Sequence, residues 1–586
     1  MSYKPPVQDM AFVLKHVAEM ENLLAYPAYE DFDMDIVDPV LEEAAKLAAN
    51  VWAPLNRDGD TDGAKLKDGQ VKTTPGFKDA YLQYVAGGWN ALPHNPEFGG
   101  QGLPWSLSMA TNEMWQAANL SLGLCPLLTQ AGIEALEHHG SDHLQKTYLE
   151  KLVSGEWAGT MNLTEPQAGT DLAAIRTVAK KDGDHYLLQG QKIYITYGDH
   201  EFTDNIIHLV LAKIDGLPDD NSGLGLFLVP KFFVNEDGSL GDRNDVWPVS
   251  LEHKLGIHGS PTCVMAYGDK GECVAYLVGK EGEGLKNMFT MMNNARISVG
   301  LQGVSMMERA YQHAVHYAKE RVQSFKLGGS SDERVAIIEH ADVKRMLLTM
   351  KAYADAGRAL SYYAGAQLDR QNNEADADKK KAAANRADFL TPLVKGWCTD
   401  MAVEVSSIGI QVHGGMGFIE ETGAAQFIRD SRILPIYEGT NGIQAADFMF
   451  RKFLRDQGTE VKKYIAEMTA ADLSAMEAET QQALKSGLKT LKETTEWLLK
   501  QDMKDLDPFA ASSTYYLKMF ASVAAGFLMA KLAIQAKGDT SPFAQNKVKI
   551  CRYYIEALMP QASGYAPVIM GGQSVLRDME QHSFDS

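Results

Sequence analysis

The spacing of apolar residues changes twice along this chain, and those changes limit what it can fold into. Up to about residue 160 the spacing is helical, as in Val40 and Leu41 with Ala44, Leu47 and Ala48. After Trp157 it shifts to short β-branched or alternating runs at 185–188, 192–196, 206–212, 224–229 and 274–278, separated by Gly, Asp and Asn. Such runs read as an antiparallel sheet domain, closed by Gly282-Glu283-Gly284. From Leu285 long helical patterns return, with one apolar face sustained over 343–368. A sheet held between two helical regions is therefore the expected class.

At 586 residues the chain exceeds one hydrophobic core, so about three or four units are expected. The expected division is an arm over 1–40 with one amphipathic helix near 10–24, a helical domain over 41–160, the β-domain over 161–284, a helical bundle over 285–455 and a helical extension over 456–586. In that extension Leu484, Leu488 and Leu491 keep helical spacing, and the apolar window 515–536 is interrupted by Lys518 and Lys531. It reads as a buried core helix rather than a bilayer span. The charged stretch 374–381 reads as an exposed helix face or loop.

A net charge of −20 sets the chain against nucleic acid and anionic membranes at long range, although a local basic site for a phosphorylated ligand remains compatible. Five scattered cysteines with no metal-ligand spacing argue for a reducing compartment, and the N-terminal sequence shows no Arg-rich or apolar leader, so a cytoplasmic location is expected. His138, His139 and His143 flank Gly140, with Asp142 as the expected cap of the next helix; they read as helix-junction residues, and no metal is expected.

The stretch from Ile433 to Gln444 carries the chemistry. It sets one carboxylate, Glu438, between apolar residues and a Gly439-Thr440 turn that opens a helix. A carboxylate in an apolar pocket loses solvation, its pKa rises, and it becomes a base for a weakly acidic carbon-bound proton. Alone the string more often marks a helix cap and turn.

Three companion segments occur in order upstream: Met161 to Asp171 (Met-Asn-Leu-Thr-Glu-Pro-Gln-Ala-Gly-Thr-Asp), Gly190-Gln-Lys-Ile-Tyr-Ile-Thr196, and Gln411-Val-His-Gly-Gly-Met-Gly-Phe418. With the Tyr437–Thr440 segment they resemble the acyl-CoA dehydrogenase flavoprotein family over roughly residues 40 to 455. The insertion from Lys231 to Pro261, the Met291-Met-Asn-Asn-Ala-Arg296 segment and the tail beyond 455 are similar to a longer-chain subgroup that includes 3-methylmercaptopropionyl-CoA dehydrogenases.

The resemblance implies a mainly α fold with a central β-domain: a helical domain, a β-barrel-like domain and a four-helix bundle, plus a C-terminal helical extension. It implies an FAD-dependent α,β-dehydrogenation of an acyl-CoA to a trans-2-enoyl-CoA, with 3-methylmercaptopropionyl-CoA or a short- to medium-chain acyl-CoA as substrate. Glu438 would remove the α-proton; no side chain accepts hydride, so the cofactor must. Met161, Leu163, Thr164, Gly169, Thr170, Tyr194, Thr196 and Thr440 would contact the flavin, and Arg321, Gln411, Gly414 and Gly415 would reach the FAD of a neighbouring subunit in a homodimer. Thr170, Asn293, Arg296 and Gly439 would meet the substrate, and electrons would leave to an electron-transfer flavoprotein. Tyr194 stands where the family commonly has Trp, Ser324 where it has Gly, and Gly442 where it has Gln. The rival readings are an acyl-CoA oxidase, a flavin monooxygenase of related fold, which would not need Glu438, and a non-catalytic helical scaffold.

Overall fold

Asn119 divides the first long helical stretch: its backbone turns extended and its side chain accepts the Leu122 amide at 3.1 Å, so one helix ends and another begins. The result is α1 (Trp105–Ala118), α2 (Leu120–His139) and α3 (Asp142–Ser154), described in a computed structural model that covers residues 3–328, 333–571, 576 and 578–585. The cap of α3 is Ser141, which accepts the Leu144 amide, and Asp142 is the first helical residue. The expected single helix over 10–24 is broken at Glu19, which adopts φ 59° and separates Val7–Val13 and a π-turn from Met20–Leu24. The arm is not loose, since Tyr3, Met10, Val13 and Val17 are fully buried.

The sheet domain contains β1 (Trp157–Asn162), β2 (Val178–Asp182), β3 (His185–Thr196), β4 (Asn205–Ile214), β5 (Leu224–Pro230), β6 (Val246–Leu251), β7 (Thr262–Tyr267) and β8 (Val274–Val278). Spatial order is β6-β7-β3-β8-β5-β4-β1, and β2 bridges β3 and β4, so that β3, β8, β5, β4 and β2 close a ring. That closure gives the domain its barrel-like character. The sheet is mixed rather than antiparallel, because β1 and β2 both run parallel to β4. The two runs expected at 185–188 and 192–196 form one strand: Gly190 marks no turn but a crossing, where a Cβ would lie 2.5 Å from Thr177 Oγ1.

Three long helices, α4 (Gly284–Glu320), α5 (Ala341–Asn373) and α6 (Ala377–His413), form the bundle. Its fourth member is broken into α7 (Ala424–Ser431), a turn, and α8 (Asn441–Ala446) continued by a π-helix over Asp447–Leu454. The extension adds α9 (Ala478–Leu498), α10 (Asp507–Ala536) and α11 (Pro542–Tyr553). By length and composition α10 suits a bilayer, yet its faces are mostly buried in the protein. Phe520 and Leu528 are fully buried, Phe527 and Ile534 pack at the margin, and Phe520 meets Phe389 of α6 and Phe448 edge-on. The interrupting lysines pair with the body, Lys518 with Asp400 at 3.0 Å and Lys531 with Glu19 at 3.4 Å.

Candidate active site

Glu438 sits in the break between α7 and α8. It and Gly439 are consecutive left-handed residues, φ 55° and 82°, a conformation that costs free energy for a residue with a Cβ and is kept only where surroundings enforce it. Those surroundings are specific. The Gln444 amide donates to the carbonyls of Glu438 and Gly439, both at 3.2 Å, and the Asn441 amide N–H bonds the Pro435 carbonyl at 2.9 Å. Thr440 caps α8, its Oγ1 accepting the Ile443 amide at 3.3 Å. From α6, the fully buried Lys395 sends Nζ to the Gly439 carbonyl at 2.8 Å and to Asn441 Oδ1 at 2.9 Å.

The electrostatics suit a base. Burial pushes the Glu438 carboxyl above its ordinary pKa, while Arg296 and then Lys395 pull against that rise. Burial likewise draws the Lys395 ammonium down to about 7, opposed by Glu438 and Asp400. Arg296, 6% exposed on α4, has a buried Nε without a hydrogen-bond partner among the described residues. Arg296 and the exposed Asn293 line a cavity of about 160 Å³ with Phe289, Asp388, Asp447 and Arg451. Sequence reading had placed the Asn293–Arg296 and Glu438–Thr440 segments separately; the fold brings Arg296 to the turn, its guanidinium 3.7 Å from where a Cβ on Gly439 would stand.

A second group lies on the sheet. Met161 is near the end of β1, and Leu163 and Thr164 follow it. The Thr160 hydroxyl donates to the Thr196 carbonyl at 2.8 Å, bringing the end of β3 against β1. Gly169 and Thr170 are exposed beyond a tight turn closed by reciprocal Glu165 and Ala168 backbone bonds. Tyr194 is 60% exposed in a left-handed conformation, φ 60°, so its ring stands on the surface. The loop is fixed from below by a buried pair that sequence reading missed. Lys192 donates to the Leu163 carbonyl at 2.9 Å and to Glu165 at 2.8 Å, and Glu165 also accepts the Arg176 and Thr177 amides and the Thr177 hydroxyl. Burial raises the Glu165 carboxyl, but Lys192 and these donors outweigh it and hold it low, at about 2.

Arg321, Gln411, Gly414 and Gly415 stand apart. Arg321 lies just past the C-terminal end of the helix that carries Arg296, roughly seven turns and about 37 Å beyond it. Gln411 lies near the C-terminal end of α6, more than about four turns beyond the mid-helix Lys395, and the 4.4 Å stack of Tyr317 on His413 holds the two helix ends together. All four residues are exposed. A Cβ built on Gly169, Gly414 or Gly415 meets nothing within 4 Å, so backbone at both groups is open to close approach by a large ligand such as FAD.

Family models of the acyl-CoA dehydrogenases match nearly the whole chain: the N-terminal domain over 40–156, the middle domain over 160–269, the C-terminal domain over 282–451, and an acetyl-CoA dehydrogenase C-terminal-like domain over 458–580. The chain is 43% identical to 3-methylmercaptopropionyl-CoA dehydrogenase of Ruegeria pomeroyi, across 98% of this chain and 99% of that one. Its fold is similar to that of ACDH-11 of Caenorhabditis elegans in complex with C11-CoA (TM-score 0.76, 18% identity, 98% and 96% of the two chains). It is also similar to that of a Bacillus anthracis acyl-CoA dehydrogenase complexed with FAD (TM-score 0.74, 21% identity, 98% and 93%). Helical, sheet, bundle and extension regions alike place the chain in the acyl-CoA dehydrogenase family, whose members are FAD-dependent oxidoreductases acting on acyl-CoA.

Proposed function

We propose that Glu438 is the base that takes the α-proton of the acyl-CoA, and that the substrate is 3-methylmercaptopropionyl-CoA or a short- to medium-chain acyl-CoA. The observation that carries the first part is a half-buried carboxylate on an enforced left-handed turn, raised in pKa and flanked by two cations. Burial makes the carboxylate basic enough to take the proton, and the cations keep it ionised while it waits. Among the described residues no acceptor is paired with the Glu438 amide, which leaves that N–H for the thioester carbonyl as charge builds on its oxygen. When bound, FAD supplies the hydride-accepting position that no side chain offers. Met161, Leu163, Thr164, Gly169, Thr170, Tyr194 and Thr196 are the residues that would hold its ring and adjoining phosphates. Asn293 and Arg296 offer the CoA chain an amide and a guanidinium. The substrate reading rests on the 43% identical relative, which also favours a place in dimethylsulfoniopropionate catabolism.

The separation of Arg321, Gln411, Gly414 and Gly415 from the Glu438 site supports a homodimer in which each subunit completes the other's FAD site. An electron-transfer flavoprotein is the proposed electron acceptor. The five buried free cysteines support a reducing, cytoplasmic setting.

Glu438→Gln should stay folded and yellow while turnover with an acyl-CoA panel falls by roughly 10³-fold, the scale of general-base loss. Retention of more than about a tenth of the activity would overturn the assignment of the base. In the same panel 3-methylmercaptopropionyl-CoA should give the highest kcat/KM, and anaerobic turnover with an electron-transfer flavoprotein should exceed turnover with oxygen. An FAD-loaded monomer on size exclusion would contradict the shared site.

A further inference from the structure

The turn that bears Glu438 is tied to the C-terminal extension. Lys395 holds the Gly439 carbonyl and Asn441 Oδ1. The side-chain Nδ2 of Asn441, the first residue of α8, lies within donor distance of Asp400 Oδ1 at 2.6 Å, the Thr399 hydroxyl at 2.9 Å and the Gly396 carbonyl at 2.9 Å. Asp400 in turn meets Lys518 of α10 at 3.0 Å. The helices are close enough that a Cβ on Gly396 would touch Leu517 of α10 at 3.1 Å. One chain of contacts therefore runs from the extension, through α6, to the carbonyl beside the base.

We propose that Lys395, Asn441, Asp400 and Lys518 act as a positioning relay that holds the Glu438–Gly439 turn in its left-handed form and sets the charge the base experiences. The proposal rests on the reading of Glu438 as the base. It gives the extension a part in catalysis beyond covering the bundle. Lys395 fits the role because it is fully buried, and an ammonium is kept in such a place only by partners that need it. One of its bonds goes to the turn itself and another to the residue that opens α8.

The relay is electrostatically asymmetric, and that yields a signature plain packing would not give. The charged groups facing the site are Arg296 of α4, Asp388, Lys395, Asp400 and Glu404 of α6, Asp447, Arg451, Lys452 and Arg455 after α8, and Lys518 of α10. Removing a cation beside Glu438 must raise its pKa, and removing an anion must lower it.

The test uses the full-length FAD enzyme and measures kcat and kcat/KM against pH from acyl-CoA titrations with an artificial electron acceptor. FAD content and Glu438→Gln are run alongside. Lys395→Met should retain FAD, lose roughly 10- to 100-fold in kcat, the cost of displacing a reacting group by about an ångström, and move the acid limb of the profile upward. Asp400→Asn keeps a carbonyl oxygen for Asn441 and should move the limb downward. Lys518→Met should move it upward by less than Lys395→Met. Superimposable profiles for Lys395→Met and Asp400→Asn would overturn the relay, and an unmoved profile for Lys518→Met would remove the extension from it. If Lys395→Met fails to fold, the opposite shifts of the other two variants decide. An active Glu438→Gln enzyme would place the failure in the base assignment instead.

Discussion

At the scale of single residues, the proposed base was legible and its support was not. Glu438 announces itself because an acidic residue, a glycine and a capping threonine are adjacent in sequence, a pattern that marks a turn before a helix. Lys395 gives only a weak signal, one cation in the apolar run Pro392-Leu-Val-Lys-Gly-Trp397, and its partner carbonyl at Gly439 arrives from another element. The same holds for Glu134 on α2, whose carboxylate accepts the Asn294 amide of α4 at 2.5 Å. Burial pushes the Glu134 carboxyl up to about 7. Its folded pKa lies above its unfolded value near 4.5, so the folded state keeps a proton that the unfolded chain has released between those two pH values. Stability from this group is therefore full in acid and lost as pH rises to about 7. Glu134→Gln should be close to neutral at pH 5 and more stable than the parent at pH 8, by on the order of 2 kcal/mol. Differential scanning calorimetry should show a gain of about 2 °C at pH 8 only, given the large unfolding entropy of a chain this size.

Among the elements, helices were read more faithfully than strands. The long helices of the bundle followed from apolar spacing, which is local, whereas parallel pairing of β1 and β2 with β4 joins strands far apart in sequence and leaves no local trace. Gly190 was read as a separator because glycine usually is one; only the crossing of Thr177 shows why it is needed inside β3. The break at Glu19 has no such explanation in its residue type. Two residues beyond Gly190, Lys192 lies beneath the Leu163–Thr170 loop. Lys192→Met would leave Glu165 buried without its counter-charge, a change worth roughly 3–5 kcal/mol. FAD should then dissociate on dialysis from the variant and not from the parent, which flavin fluorescence in the dialysate would record. Unchanged retention of FAD would show that the loop needs no such anchor.

Taken as a whole molecule, the extension was correctly expected to pack on the body, since its apolar faces had to be covered by something; how it is fastened was not readable. Lys547 of α11 is 1% exposed and bonds Asp9 of the arm at 2.5 Å and Asp355 of α5 at 2.7 Å, while Lys351 meets the same two carboxylates. Although burial disfavours the Lys547 ammonium, Asp355 and Asp9 outweigh it and raise its pKa. Lys547→Met should lower Tm by a few degrees and speed limited proteolysis within 456–586, as expected when about 3–5 kcal/mol of paired charge is broken. Equal proteolysis rates would show that apolar contact alone seats the extension.

Asp9 and Lys547 stand near opposite ends of the 586-residue sequence. On a ribosome the arm therefore emerges on the order of a minute before its partner exists. Once residue 358 has been made, Asp9 and Asp355 have Lys351, and Asp355 also has Arg358, but both lack Lys547, so the buried cluster is one positive charge short in a place meant to be dry. Synthesis of α11, which carries Lys547, supplies the last cation of this buried cluster.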